Sequence, residues 1–133
     1  MKTLKASDIM VRPVVSARKN ASARDIALQL LTGFYSGMPV TDDRGHIIGV
    51  VTEFDLIKAM QAGKELNKTA AEEIMTTEVA TADVDTPVSD LIKIMTDKHV
   101  IRLPITAKGK LVGVVARCDL LKTLIEPEFV TYA

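Results

Sequence analysis

The stretch Gly49-Val50-Val51-Thr52-Glu53-Phe54-Asp55-Leu56 recurs further along the chain as Gly113-Val114-Val115-Ala116-Arg117-Cys118-Asp119-Leu120. A second element recurs upstream of each copy, because Asp8-Ile9-Met10 is matched by Glu73-Ile74-Met75. Internal similarity at a fixed period is the sequence signature of a repeated structural unit. We therefore interpret the chain as a tandem duplication.

The two copies differ in length at a turn between two apolar segments. The first copy has Asp42-Asp43-Arg44-Gly45 at this place, and the second has the shorter Ala107-Lys108-Gly109. Tight turns at the surface are where changes of length are tolerated. We expect a strand, a glycine turn and a second strand in each copy, because the run Ile47–Val51 is rich in β-branched residues.

Composition excludes several classes of protein. The chain has 133 residues, one cysteine, and a formal net charge of zero from 17 Lys+Arg and 17 Asp+Glu. One cysteine cannot form an internal disulfide, and a neutral chain offers no electrostatic footprint for a nucleic acid. We find neither a signal peptide nor a membrane-spanning stretch. The sequence therefore predicts a cytoplasmic protein without membrane association, for which nucleic acid is an improbable partner.

Each copy predicts the order strand, helix, strand, strand, helix, and its first element is a short extended segment, Val14–Ala17 in one copy and Val79–Ala82 in the other. Ser22 marks the start of one helix and Thr86-Pro87 the start of its counterpart. We predict the closing helices over Thr52–Met60 and from Arg117 to Leu124. A unit of about 60 residues is marginal when folded alone. We therefore expect an α/β (α+β) fold of two pseudo-symmetric units that pack through their sheets with the helices outside. The expected boundaries are 1–62 for the first copy, 63–68 for a linker, 69–126 for the second copy and 127–133 for a C-terminal tail.

These motifs in this order, twice, resemble a pair of cystathionine-beta-synthase (CBS) domains, the arrangement called a Bateman module. The resemblance runs from about Lys5 to Leu124 and is similar to the stand-alone members of that family. It implies two clefts that bind adenosine-containing ligands such as AMP, ADP, ATP or S-adenosylmethionine. It also implies a regulatory role, with no required cofactor, no catalytic residue and no metal site.

The residues themselves support a site at the repeated stretches Gly49–Asp55 and Gly113–Asp119, which we call the two Asp-bearing turns. Gly49 lets the backbone approach a flat ligand, Thr52 offers a hydroxyl and a helix start for phosphate, and Asp55 accepts from ribose hydroxyls. A purely structural reading is open, because Thr52 and Asp55 also form the pattern of a helix cap. Ala116 lacks the hydroxyl while Asp119 is retained. This comparison favours a ribose role, since a reciprocal cap alone gives the carboxylate less reason to remain.

The resemblance implies that each cleft combines the Asp-bearing turn of one copy with the first extended segment and second strand of the other. Apolar residues would hold the adenine. The first site is then Gly49, Thr52, Asp55, Thr76, Val79, Ala80, Ile101 and Arg102. The second, weaker site is Val11, Val14, Val15, Ser36, Gly37, Gly113, Ala116 and Asp119.

The expected difference between the two sites rests on a few positions. The first has a hydroxyl at Thr52 and a basic residue at Arg102, where the second has Ala116 and Gly37. A planar guanidinium grips two phosphate oxygens, although Arg102 is equally well read as a surface arginine. We therefore expect one competent nucleotide site.

Other reactive residues give no sign of catalysis. His46 and His99 have no second ligand at metal spacing, and Cys118 has no histidine beside it in the motif. We expect a non-enzymatic regulatory module that binds an adenosine-containing small molecule and signals to an unknown partner by a conformational or dimerisation change. The alternatives are a ligand-independent homodimer, formed through the apolar faces of the closing helices, and, more remotely, nucleic-acid binding near the basic first quarter.

Overall fold

The computed structural model describes residues 3–33 and 37–132, with side chains described as far as residue 125. Within this part a sequence of three helices and three strands occurs twice, which confirms the mixed α+β fold and the duplication. The elements are α1 Ala6–Ile9, β1 Ala17–Arg18, α2 Ala23–Gly33, β2 Gly37–Thr41, β3 Ile47–Thr52, α3 Glu53–Gln61, a 3-10 helix Leu66–Lys68, α4 Ala71–Ile74, β4 Ala82–Asp83, α5 Val88–Lys98, β5 Arg102–Ala107, β6 Lys110–Ala116 and α6 Arg117–Tyr132.

Each copy builds one three-stranded sheet. The orders are β1-β2-β3 and β4-β5-β6, with the first pair parallel and the second pair antiparallel in both. The helices between strands bury one face, since Ile26 and Leu30 of α2 and Leu91 and Met95 of α5 are buried. This agrees with the helical spacing of these apolar residues.

The turn between the two antiparallel strands explains the difference in length. In the second copy Lys108 and Gly109 both have positive φ, of 52° and 82°, as a two-residue hairpin turn requires. In the first copy the connection is one residue longer, and Gly45 at φ 85° is its left-handed residue. The hairpins expected from the sequence are confirmed.

The chain divides into two compact units that do not follow the order of the repeats. We call residues 15–79 the first unit and residues 1–14 with 80–133 the second unit. Helix α4 belongs to the first unit, where the Ala71 amide donates to the Ala21 carbonyl at 2.8 Å. Helix α1 belongs to the second unit, where the Ala6 amide donates to the Thr86 carbonyl at 2.8 Å. Each unit therefore completes its core with the segment that precedes the other copy.

The extended segments expected at Val14–Ala17 and Val79–Ala82 contribute less to the sheets than predicted. Only Ala17 and Ala82 of these segments pair, each followed by one more strand residue. The preceding residues of both segments lie outside the ladders; further upstream, the backbones of Val11 and Thr76 bond to strands β6 and β3.

The last helix is longer than predicted. Its backbone continues past Leu124 and Pro127 to Tyr132. Pro127 supplies no amide hydrogen to the preceding turn, so the helix continues there with one internal hydrogen bond fewer. Among the described residues, α6 and every other helix fall short of the length and apolar character needed to cross a membrane.

Candidate functional site

The first Asp-bearing turn is a complete helix cap. The Asp55 amide donates to Thr52 Oγ1 at 3.2 Å, and the Thr52 amide donates to Asp55 Oδ2 at 2.9 Å. Thr52 is therefore the N-cap of α3 and Asp55 its reciprocal partner. The structural role that the sequence left open is present in the folded chain.

A third residue contacts the same carboxylate. Thr76 Oγ1 lies 3.1 Å from Asp55 Oδ1 and 3.2 Å from Oδ2, so its hydroxyl donates to the carboxylate. The Thr76 backbone is fixed by two hydrogen bonds with Val50, of 2.8 and 2.9 Å. Both oxygens of Asp55 therefore have a partner within the first unit.

The glycine in front of each turn accommodates a methionine. A Cβ added at Gly49 would lie 2.6 Å from Met75 Sδ and 2.9 Å from the Thr76 carbonyl oxygen. A Cβ added at Gly113 would lie 2.6 Å from Met10 Sδ. Met75 therefore fills the space on this side of Gly49, and contact of Gly49 with a flat ligand stays a prediction.

The second Asp-bearing turn keeps half of the cap. The Ala116 amide donates to Asp119 Oδ2 at 2.7 Å, although Ala116 has no hydroxyl to return a bond. The carboxylate therefore caps α6 without its partner, and the retention of Asp119 does not by itself argue for a ligand. Val11 occupies the place that Thr76 has in the first unit, with two backbone hydrogen bonds to Val114 of 2.8 and 3.1 Å.

The residues expected in each site divide between the two compact units. Of the first set, the first unit holds Gly49, Thr52, Asp55, Thr76 and Val79, and the second unit holds Ala80, Ile101 and Arg102. Of the second set, the second unit holds Val11, Val14, Gly113, Ala116 and Asp119, and the first unit holds Val15 and Gly37. Ser36 lies outside the described residues.

Within each unit, the sheet places one further candidate beside the turn. Arg102 is directly opposite Ala116 across strands β5 and β6, and Gly37 is directly opposite Thr52 across β2 and β3. Side chains at directly opposed positions share one face of the sheet. Arg102 therefore neighbours the turn of its own unit, the one that carries Asp119, and its expected role in the Asp55 site stays a prediction.

The two turns also differ in charge. Arg117 begins α6, and its amide donates to the Ile101 carbonyl at 3.1 Å, whereas Glu53 begins α3 at the equivalent position. With Arg102 opposite Ala116, the turn of the second unit is basic, and that of the first unit is acidic.

The family model of the CBS domain matches residues 6–62 and again residues 71–126. The chain belongs to the CBS domain family. Each match contains one copy of the repeat with its Asp-bearing turn, so the duplication that the sequence indicated is a CBS domain pair.

Relatives of this CBS pair include proteins with additional sequence. An uncharacterised protein of Methanopyrus kandleri is 31% identical over 132 residues, which cover 98% of this chain and 66% of that protein. The L-aspartate semialdehyde sulfurtransferase of Methanocaldococcus jannaschii is 31% identical over 114 residues, which cover 85% of this chain and 22% of the enzyme. The chain therefore corresponds to only part of the length of each relative.

Solved structures share the fold. The CBS domain pair of protein MJ0100, crystallised in complex with 5′-methylthioadenosine and S-adenosyl-L-methionine, superposes with a TM-score of 0.77 at 28% identity, over 95% of this chain and 99% of that one. A putative acetoin utilisation protein from Vibrio cholerae superposes with a TM-score of 0.87 at 21% identity, over 98% and 97%.

A groove that the sequence did not indicate lies in the second unit of the CBS pair. It has a volume of about 320 Å³ and runs between the end of α5 and the start of α6. Ile101 is the one predicted site residue in its lining, which is Met95, Thr96, His99, Val100, Ile101, Arg117 and Leu120. No short motif marks this groove, because its lining comes from two separate segments, residues 95–101 and 117–120.

The other reactive side chains have local roles. His99 is the left-handed residue that ends α5, with φ 54°, and Cys118 is exposed in the first turn of α6. In residues 3–33 and 37–125, no three His, Cys, Asp or Glu side chains come together as metal ligands.

His46 lies beside Asp42 in the first hairpin turn. The amides of His46 and Arg44 each donate to Asp42 Oδ1 at 2.9 Å, and His46 Nδ1 lies 3.5 Å from Oδ2. Partial desolvation acts to raise the pKa of Asp42, but these hydrogen bonds and the nearby imidazole lower it below its ordinary value of 3.8. The Asp42 carboxylate therefore serves the geometry of the turn.

Proposed function

We propose that this CBS pair is a non-enzymatic regulatory module that binds an adenosine-containing ligand, AMP, ADP, ATP or S-adenosylmethionine, through its two Asp-bearing turns. The observation that carries the proposal is the placement of a half-buried carboxylate at the start of α3 and again at the start of α6, each crossed by an exposed residue, Thr76 or Val11, from another part of the chain. The adenosine ligands named for the MJ0100 domain pair, at 28% identity, support the same chemistry.

Ribose recognition is the task of the two aspartates. A carboxylate has two oxygens and accepts about four hydrogen bonds, so it can receive both ribose hydroxyls while retaining its cap. Asp55 and Asp119 are both half-buried, which leaves each accessible from one side. Such bonds to a charged acceptor are stronger than bonds between neutral groups.

In this proposal, aliphatic side chains rather than aromatic rings contact the adenine. Val11, Val15 and Ile101 are 51%, 41% and 49% exposed, whereas Val79 and Ala80 are half-buried. Covering such surface with a flat base gains about 25 cal/mol for each Å² removed from water. Arg102 and Arg117 supply positive charge for a phosphate group near Asp119.

Signalling follows from where these segments lie in the chain. The chain passes from one compact unit to the other between Val14 and Val15 and again between Val79 and Ala80. Val79 and Ala80 are in the first proposed set of residues and Val14 and Val15 are in the second, so a ligand at either set contacts one of these two connections. Any preference of the ligand for one arrangement then shifts the population of that arrangement, which a partner protein reads. We place this activity in the cytoplasm, in accord with the lone Cys118.

Calorimetric titration tests the proposal. AMP, ATP and S-adenosylmethionine are titrated into the wild-type chain, into Asp55→Asn and into Asp119→Asn. Asparagine keeps an oxygen for the cap but replaces the other acceptor with a donor. We expect binding of at least one ligand to the wild type and a loss in at least one variant. Absence of heat for all three ligands, together with no shift in melting temperature, rejects the proposal.

A ligand-independent dimer is the second candidate. Ile57 and Met60 on α3 are 55% and 61% exposed, and Leu121 and Leu124 on α6 are 58% and 62% exposed. Leu56 and Leu120 on the same two helices are 7% exposed and belong to the cores. Exposed apolar helix faces favour self-association. Sedimentation at several concentrations separates the candidates, since a strict monomer contradicts a dimer and leaves ligand binding intact.

A further inference from the structure

A residue from another segment forms the same backbone bridge beside each Asp-bearing turn, but its side chain differs between the two turns. Thr76 bonds to Val50 through both its amide and its carbonyl, and Val11 bonds to Val114 in the same way. Threonine and valine have nearly the same shape, with a hydroxyl in one where the other has a methyl. The two equivalent positions therefore differ only by a hydroxyl group in Thr76 and a methyl group in Val11.

The difference determines how much of each carboxylate is free. In the first unit, Asp55 accepts from the Thr52 amide and from the Thr76 hydroxyl, which reaches both oxygens. In the second unit, Asp119 Oδ2 accepts from the Ala116 amide, and Oδ1 has no hydrogen-bond partner in the part of the chain that the structure describes. The Val11 methyl groups offer no donor in place of the Thr76 hydroxyl.

We infer that Thr76 weakens ribose recognition at Asp55, and that Asp119 is the tighter ribose acceptor of the pair. This inference rests on the proposed function and reverses the order of the two sites expected from the sequence. At Asp55 the Thr52 amide takes one acceptor position and the Thr76 hydroxyl lies against both oxygens, so two ribose hydroxyls must share these oxygens with Thr76. At Asp119 only the Ala116 amide takes a position, and Oδ1 is open to the ribose. Loss of one hydrogen bond to a charged group corresponds to roughly a tenfold change in affinity.

The experiment isolates each turn and then exchanges the two side chains. Adenosine is the ligand, because it lacks the phosphates that Arg102 and Arg117 would contact. In the Asp119→Asn background only the first turn binds ribose, and Thr76→Val should tighten adenosine binding about tenfold. In the Asp55→Asn background only the second turn binds, and Val11→Thr should weaken it by a similar factor. Thr76→Ser keeps the hydroxyl and should leave the affinity of the first turn unchanged.

A second ligand separates ribose recognition from general packing. With 2′-deoxyadenosine, one ribose hydroxyl is missing, so the gain from Thr76→Val should shrink. A merely structural effect of the substitution would change both ligands equally. Thermal unfolding of each variant verifies that the exchange leaves the fold intact, as expected for exposed positions.

The outcomes distinguish this inference from the proposed function. If the wild type binds adenosine or one of the three larger ligands, but Thr76→Val weakens or does not change adenosine binding, Thr76 does not compete for Asp55 and the inference is wrong while the proposed function stands. If Asp55→Asn costs more affinity than Asp119→Asn, the inferred order of the two turns is wrong. If the wild type binds none of these ligands, both are overturned.

Discussion

Replacing Gly49 by alanine tests whether Met75 and the Thr76 backbone pack tightly against Gly49 in the first unit. The added Cβ would lie 2.6 Å from Met75 Sδ, 2.8 Å from Met75 Cγ and 2.9 Å from the Thr76 carbonyl oxygen. The methionine side chain can rotate away, but the carbonyl cannot move freely because it accepts from the Val50 amide at 2.9 Å. The substitution therefore forces the backbone bridge apart or strains it.

Gly113→Ala is the matched control. There the three nearest atoms all belong to the Met10 side chain, at 2.6, 2.9 and 3.2 Å, and no carbonyl is among them. Overpacking a core costs about 1–3 kcal/mol, and alanine returns about 0.4–1 kcal/mol by restricting the unfolded chain. We expect a loss of about 2 kcal/mol for Gly49→Ala and about 0.5 kcal/mol for Gly113→Ala.

Thermal unfolding measured by circular dichroism resolves this difference. At about 4 °C for each kcal/mol, the melting temperature should fall by about 8 °C for Gly49→Ala and about 2 °C for Gly113→Ala. Equal losses for the two variants would show that the Thr76 carbonyl does not resist the added methyl group. A Gly49→Ala protein as stable as the wild type would refute the close packing altogether.

Further predictions concern the hairpin turns and the arginine beside Ala116. Lys108→Asn should raise stability by about 0.5 kcal/mol, because asparagine tolerates the positive φ of 52° better than lysine, and a lower melting temperature would contradict this. The Asp42 carboxyl should titrate below 3.8 by carbon NMR, so its stabilising contribution is present above the ordinary value and is lost as pH falls through the lowered pKa; a midpoint at or above 3.8 would oppose it. Arg102→Gln should weaken AMP binding several-fold by calorimetry and leave adenosine binding unchanged, whereas equal losses for both ligands would exclude a phosphate role.

Local features of the fold were predictable because they depend on near neighbours in the chain. The cap formed by Thr52 and Asp55 spans three residues, and the turn at Lys108 and Gly109 is set by its own backbone preferences. The start of α3 is therefore within one residue of the prediction. The repeat supplied the division into two copies in the same way, from residues adjacent in sequence.

The candidate site was less predictable because its contacts join distant segments. Thr76 reaches Asp55 because the chain returns after α3 and its backbone bonds to Val50. No local sequence motif predicts this return. The repeat contains both a glycine, Gly49 or Gly113, and an Ile-Met pair in each copy. The sequence does not predict that the methionine of one pair packs against the glycine. Arg102 was assigned to the Asp55 turn by resemblance, and only the register of β5 and β6 places it opposite Ala116.

A crystal structure of the chain with AMP or S-adenosylmethionine bound tests the central claim most directly. The account predicts that the ribose hydroxyls lie within hydrogen-bond distance of the Asp119 carboxylate, with Asp55 occupied only at higher ligand concentration. A ligand held away from both aspartates, with its ribose bound by other residues, would contradict it.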